Sequence, residues 1–259
     1  QAGVNNTLFV ILLAIGAAFL AGFFFYARAR ERSGKEPLLS TDLFRNRVSN
    51  LGLVTQNLQW LLLMGVSFVV SVFLQTERHY SAIKTGVVFT AATVGVLVSS
   101  LAAERLAKRR RQRTLITAGF ATTAVGIALL LGLVKAASSS PWAFAPGLLA
   151  IGLGLGVMLT PSVNLVQSAF PERKQGEISG LSRSVSNLGS SFGTAIAGTI
   201  LVSDLVSGNG TYVAAMIFLA VVALGGLAVS ILLPANPLPG ADAEPAPTAA
   251  ATAPLDAPA

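Results

Sequence analysis

The chain has 259 residues, 53% hydrophobic and 11% charged, with 25 glycines and no cysteine; its mean hydropathy is +0.69. A soluble domain carries about 25% charged residues, so the composition argues against an ordinary soluble enzyme and for a chain solvated mostly by lipid. The absence of cysteine removes disulfides, thiolate nucleophiles and thiolate metal sites, the lone His79 cannot build a multi-histidine site, and the net charge of +7 comes from short basic clusters between apolar runs, which suits a membrane surface and not a nucleic acid.

A spanning helix needs about 20 mainly apolar residues, because 1.5 Å of rise per residue must cross roughly 30 Å of hydrocarbon. The first such run is Thr7–Tyr26. The connection Arg28–Asn50, with Pro37 and charges of both signs, reads as a cytoplasmic linker containing a short surface helix around Thr41–Arg47. Six further spans follow: Leu51–Leu74, Thr85–Ala103, Thr114–Val134, Ala143–Ser168, Gly180–Ser203 and Tyr212–Leu233. The sixth of the seven is the least apolar, rich in Ser and Gly, and carries the one charged residue within any span, Arg183. The segment Pro234–Ala259 holds seven of the twelve prolines and reads as a disordered cytoplasmic tail, too poor in apolar area to offset its ordering entropy. The expectation is an all-α membrane protein: a first transmembrane helix (1–27), a linker (28–50), a six-helix bundle (51–233) and a tail (234–259).

Basic residues fix the expected orientation, since short loops rich in Lys and Arg stay cytoplasmic. Fifteen of the eighteen follow the first, third and fifth spans, counting Arg183; only Arg78, Lys84 and Lys135 lie in the opposite loops. The N-terminus of this segment is therefore expected outside and the C-terminus inside, in a plasma or bacterial inner membrane. Trp142 and Tyr212 fall at outer ends of spans, where an interfacial aromatic belt is expected. An external N-terminus beginning at Gln1 leads to the expectation that a preceding half of the same chain is missing.

Polar side chains within spans locate a cavity or a helix contact. The second span carries Gln56 and Gln59 on one stripe with Leu63 and Ser67, and the fifth carries Gly156, Thr160, Asn164 and Gln167. Such amides can bind a substrate or tie two helices together, and both readings stand. Gly156 and Pro161 mark a candidate kink in the fifth span, which either moves or merely fits the bundle. Ser182, Ser186, Gly189, Gly193 and Ala197 recur at steps of three or four, a stripe that favours close packing. Arg183 reads first as snorkelling to the cytoplasmic surface or pairing with an acid, and second as holding an anionic group. Asn187, one turn further on, and Met158 complete the candidate cavity set.

The run GLGLGVMLTPSVNLVQSAFPERKQGEISGLSRSVSNLGSSFGTAIAGTIL, the motif LFRNR before the second span and FLQTERHYSAIKTG after it resemble the C-terminal half of fourteen-helix drug:proton antiporters of the major facilitator superfamily. The resemblance implies that the first helix is one of two extra central helices and the other six form the C-terminal transporter bundle. The segment SSLAAERLAKRRRQR is similar to the superfamily's cytoplasmic gating motif, which places Glu104, Arg105, Lys108 and Arg109 in gating roles, although Ser100 and Ala107 replace the motif's glycines. It also implies alternating access between two halves, export of small lipophilic or cationic compounds, and the proton gradient as energy source with no cofactor. The coupling carboxylate is not in this half, since no Asp or Glu lies deep in a span. Alternatives are a superfamily transporter of a metabolite, lipid or siderophore, a half-transporter that pairs with another subunit, and a seven-helix receptor. An intramembrane enzyme lacks paired carboxylates, histidine or cysteine in the spans.

Overall fold

The computed structural model describes residues 6–32, 41–107, 110–135, 141–203 and 210–234. These form seven α-helices and no strand among the described residues: α1 Asn6–Arg32, α2 Arg47–Thr76, α3 Ala82–Ala107, α4 Gln112–Lys135, α5 Ala145–Gln167, α6 Gln175–Val202 and α7 Gly210–Leu232. Short 3-10 turns occupy Thr41–Arg45, Pro141–Phe144 and Glu172–Lys174. Helices α2 to α7 are each long and apolar enough to cross a membrane, and α1 spans 27 residues through the first predicted span.

Every predicted span lies on a helix, and the differences are at the ends. Helix α2 begins four residues earlier than hydropathy suggests because Asn46 caps it, its side-chain oxygen accepting from the backbone N–H of Val48 at 2.9 Å and of Ser49 at 3.2 Å. Helix α6 begins five residues early, at Gln175; its first turn is polar, with Glu177 near the positive end of the helix dipole. The tail beyond Pro234 and the segment 33–40 lie outside the described residues.

Lipid tails are as apolar as leucine, so membrane helices associate through close packing and hydrogen bonds more than through removal from water. Helix α2 packs against α5, α6 and α7; α5 sits between α3 and α4; and α4 packs on α7. Leu62, Val66 and Phe73 of α2, Phe120 and Ile127 of α4, Leu148 and Leu155 of α5, and Met216 and Leu219 of α7 belong to one buried cluster. The α6 stripe Ser182, Ser186, Gly189, Gly193 and Ala197 is buried throughout. A Cβ on Gly189 or Gly193 would strike the carbonyl oxygen of Asn57 or Leu61, so this face of α6 rests directly on the backbone of α2. Helix α5 uses glycine on two sides. Gly152 and Gly156 meet α3, whose own Gly95 would place a Cβ 2.6 Å from Leu149 O, while a Cβ on Gly154 would lie 2.6 Å from Gly119 O of α4.

The linker is docked more firmly than a surface helix. Its 3-10 turn inserts Leu43, fully buried, among Leu53 of α2, Val166 of α5 and Ile178 of α6, and the Asn50 side-chain nitrogen donates to Phe44 O at 2.6 Å. Phe44 also faces Phe24 of α1, ring centroids 6.2 Å apart. At the opposite end of the bundle, Trp142 is exposed as a belt residue should be, but Tyr212 is only 7% exposed. Its hydroxyl lies 2.7 Å from Thr76 Oγ1 and its ring packs edge-on to Phe73 at 5.2 Å. Tyr212 is thus a core residue joining α7 to α2, with Arg78 stacked 5.5 Å above the Phe73 ring. The large apolar side chains left exposed, among them Phe19, Leu97, Leu101, Phe192 and Val221, suit contact with lipid or protein partners.

Candidate functional site

The amides of α2 are engaged within the bundle. Gln56 Nε2 donates to Ser186 Oγ at 3.0 Å, and its Oε1 accepts from Ser182 Oγ at 2.9 Å. Because the serines stand four residues apart on α6, one amide bridges two successive turns of the neighbouring helix. Asn57 Nδ2 donates to Val185 O at 2.9 Å. Gln59 Nε2 points the other way, to Leu155 O of α5 at 3.4 Å. Inter-helix tying is therefore the observed work of these three side chains.

Above these ties lies a pocket of about 180 Å³ between α2, α5 and α6. Gln56, Gln59 and Trp60 line it from α2, Leu159, Val163 and Gln167 from α5, and Ser179, Ser182, Arg183 and Ser186 from α6. Gln167 Nε2 donates to Ser179 Oγ at 3.2 Å across the α5–α6 edge. Arg183 is exposed and two turns into α6; it has no hydrogen bond or ion pair with a described residue. No Asp or Glu lines the pocket.

Of the expected cavity residues, Gln56, Gln59, Gln167 and Arg183 meet at this pocket and the others do not. Met158 is fully buried; it lies against α4, where a Cβ on Gly119 would sit 3.0 Å from its own Cβ, so it is core. Thr160 and Asn164 are exposed on α5, and Asn187 is exposed on α6 one turn after Arg183. Gly156 is a close-packing position against Val96 and Ser99 of α3, and Pro161 is buried within α5, where it offers no N–H to the Val157 carbonyl. At the end of α3, Glu104 and Arg105 are exposed and form no ion pair among the described residues; Lys108 and Arg109 lie outside them. Arg105 occupies the last turn, where a cation suits the helix dipole. No group of three or more His, Cys, Asp or Glu that could hold a metal occurs among the described residues.

The sequence matches the model of the Major Facilitator Superfamily over residues 4–194 and, in an overlapping match, 53–256. The chain belongs to the Major Facilitator Superfamily. This major facilitator chain is 30% identical over 205 residues to a puromycin resistance protein of Streptomyces alboniger, covering 77% of this chain and 39% of the relative. It is 26% identical over 194 residues to a probable actinorhodin transporter of Streptomyces coelicolor, covering 74% and 33%. With the quinolone resistance protein NorB of Staphylococcus aureus it shares 28% identity over 236 residues, covering 90% and 49%. The chain thus spans between about a third and a half of the length of these relatives.

Sequence reasoning about this major facilitator chain passed over Trp60 and Ser179. Ser179 had a signal: it stands one turn before Arg183 and two before Asn187, on the same helical stripe. Trp60 had none, because an aromatic in mid-span reads equally as core, belt or cavity.

Proposed function

We propose that this chain is part of a secondary transporter that exports small lipophilic or cationic compounds in exchange for protons by alternating access, and that its six-helix bundle is one of the two moving halves. The observation that carries the proposal is a set of exposed polar side chains on helices otherwise built for lipid, Thr160 and Asn164 on α5 and Arg183 and Asn187 on α6, of which Arg183 also lines the pocket. Charged and amide side chains within a span are costly against lipid, so such residues belong against protein or water. A second bundle facing α5 and α6 supplies both, and the short relative coverage accords with one. Two relatives named for drug resistance support a toxic-compound cargo; the relative named a probable actinorhodin transporter supports a second reading, export of a secondary metabolite.

In this proposal the N-terminus of the segment is external and the C-terminus cytoplasmic, within the plasma membrane, because the linker, the α3–α4 loop and the α5–α6 loop carry the basic residues. The chain has no cysteine, so Gly3→Cys and Ala251→Cys can be labelled singly, provided any flanking cysteines are removed. Impermeant maleimide should reach the first from outside intact cells and the second only after permeabilisation. Transport is tested with the full-length protein in everted membrane vesicles: energised vesicles should accumulate a lipophilic dye, and collapse of the proton gradient should abolish it. Accumulation unaffected by that collapse would refute proton coupling.

A further inference from the structure

The geometry points to an acid-accepting subsite: the pocket between α2, α5 and α6 receives a carboxylate of the exported compound, with Arg183 as its charged anchor and Trp60 beside it. This rests on the export reading above and takes up the second of the two roles that the sequence offered for Arg183, the holding of an anionic group. Gln56 spends its nitrogen on Ser186 and its oxygen on Ser182, Gln59 spends its nitrogen on Leu155 O, and Gln167 spends its nitrogen on Ser179. Each amide nitrogen thus makes one helix contact and keeps one neutral N–H, so Arg183 is the one charged donor in the lining. The guanidinium of Arg183 and the indole N–H of Trp60 make no hydrogen bond to a described residue, and both are donor-only groups. The free acceptors, the amide oxygens of Gln59 and Gln167, are neutral and leave the guanidinium charge uncompensated.

Charge and size agree with that inventory. With no acid in the lining, a cation entering the pocket meets the like charge of Arg183 and only neutral acceptors, whereas a carboxylate matches the guanidinium fork with two parallel hydrogen bonds. A volume of about 180 Å³ falls below the roughly 300–1,000 Å³ of pockets that enclose a drug-sized ligand. The pocket therefore holds one polar group of the cargo, and the remainder extends beyond it.

The test uses three probes on one fluorescent skeleton: coumarin-3-carboxylate, its neutral primary amide, and the cationic 3-aminomethylcoumarin. Uptake into everted vesicles and anisotropy binding to the purified full-length protein are measured for the parent protein, Arg183→Gln and Arg183→Lys. The carboxylate should bind best, and Arg183→Gln should weaken its binding and raise its KM about tenfold or more, the loss expected for one charge-assisted pair. The amide should change less than about twofold, and Arg183→Lys should recover part of the loss because charge returns without the fork. Equal losses for carboxylate and amide, or tighter binding of the amine than of the carboxylate, would overturn the subsite. Carboxylate-selective, Arg183-dependent binding without energised uptake of any probe would leave the subsite standing and refute export of these probes.

Discussion

Helix α3 carries two glycines whose surroundings are opposite, which makes the same substitution a controlled experiment. A Cβ on Gly95 would lie 2.6 Å from Leu149 O, 2.9 Å from Leu153 N and 3.1 Å from Gly152 C, all backbone atoms of α5. The first distance is about 0.8 Å short of the 3.4 Å at which ordinary contact begins, and no side chain can swing aside to make up the difference. Gly95→Ala must therefore push α3 away from α5 along the seam that Gly152 and Gly156 also use. Overpacking of this kind costs roughly 1–3 kcal/mol, and the separation also weakens dispersion contacts on either side. Gly86 has nothing within 4 Å of its would-be Cβ, so Gly86→Ala should be neutral or stabilising by up to about 1 kcal/mol from helix propensity alone. Reversible unfolding in a detergent titration, followed by circular dichroism, measures both. Equal stabilities for the two variants would refute the view that α5 is held to α3 by direct backbone contact.

Three further outcomes follow from named contacts. Gln56→Ala should destabilise the bundle more than Ser186→Ala, since it breaks two inter-helix bonds worth roughly 0.6 kcal/mol each in membrane bundles; a double-mutant cycle with Ser186→Ala that shows no coupling in the same titration would disprove the tie. Leu43→Ala should cost about 2–5 kcal/mol, as for other fully buried leucines, although the residue lies in a linker; faster limited proteolysis between α1 and α2 is the accompanying readout, and an unchanged digestion rate would contradict docking of the turn. Tyr212→Phe removes the hydroxyl 2.7 Å from Thr76 Oγ1 and should cost about 0.5–1.5 kcal/mol in the unfolding titration, whereas a cost near zero would place that hydroxyl in water.

Helix positions were legible because the signal for a span is local: twenty apolar residues must be helical in lipid to satisfy their backbone. The ends were less legible because caps are polar. The Asn46 cap and the Gln175–Glu177 turn resemble loop by hydropathy and become helix only through hydrogen bonds and dipole placement. The α6 stripe announced its packing through small residues at helical spacing, and Gly189 and Gly193 indeed rest on the backbone of α2. Met158 was misplaced although a signal existed: it follows Gly154 by four residues and so shares the glycine face that meets α4. Tyr212 looked like an interfacial residue because belt and core aromatics share a composition, and only its contact with Thr76 and Phe73 separates them.

The polar residues of α2 show where a single sequence stops being informative. Helical periodicity places Gln56 and Gln59 near one another on a buried face, but they stand about 60° apart around the axis, and that offset sends one amide to α6 and the other to α5. Whether an amide is spent on a helix contact or left for a ligand is decided by what stands opposite, here Ser182, Ser186 and the Leu155 carbonyl. Arg183 inverts the case. Its position in a span suggested snorkelling or an acid partner, yet α6 starts five residues earlier than hydropathy implied, which sets the guanidinium two turns into the helix and beside a pocket lined by no acid.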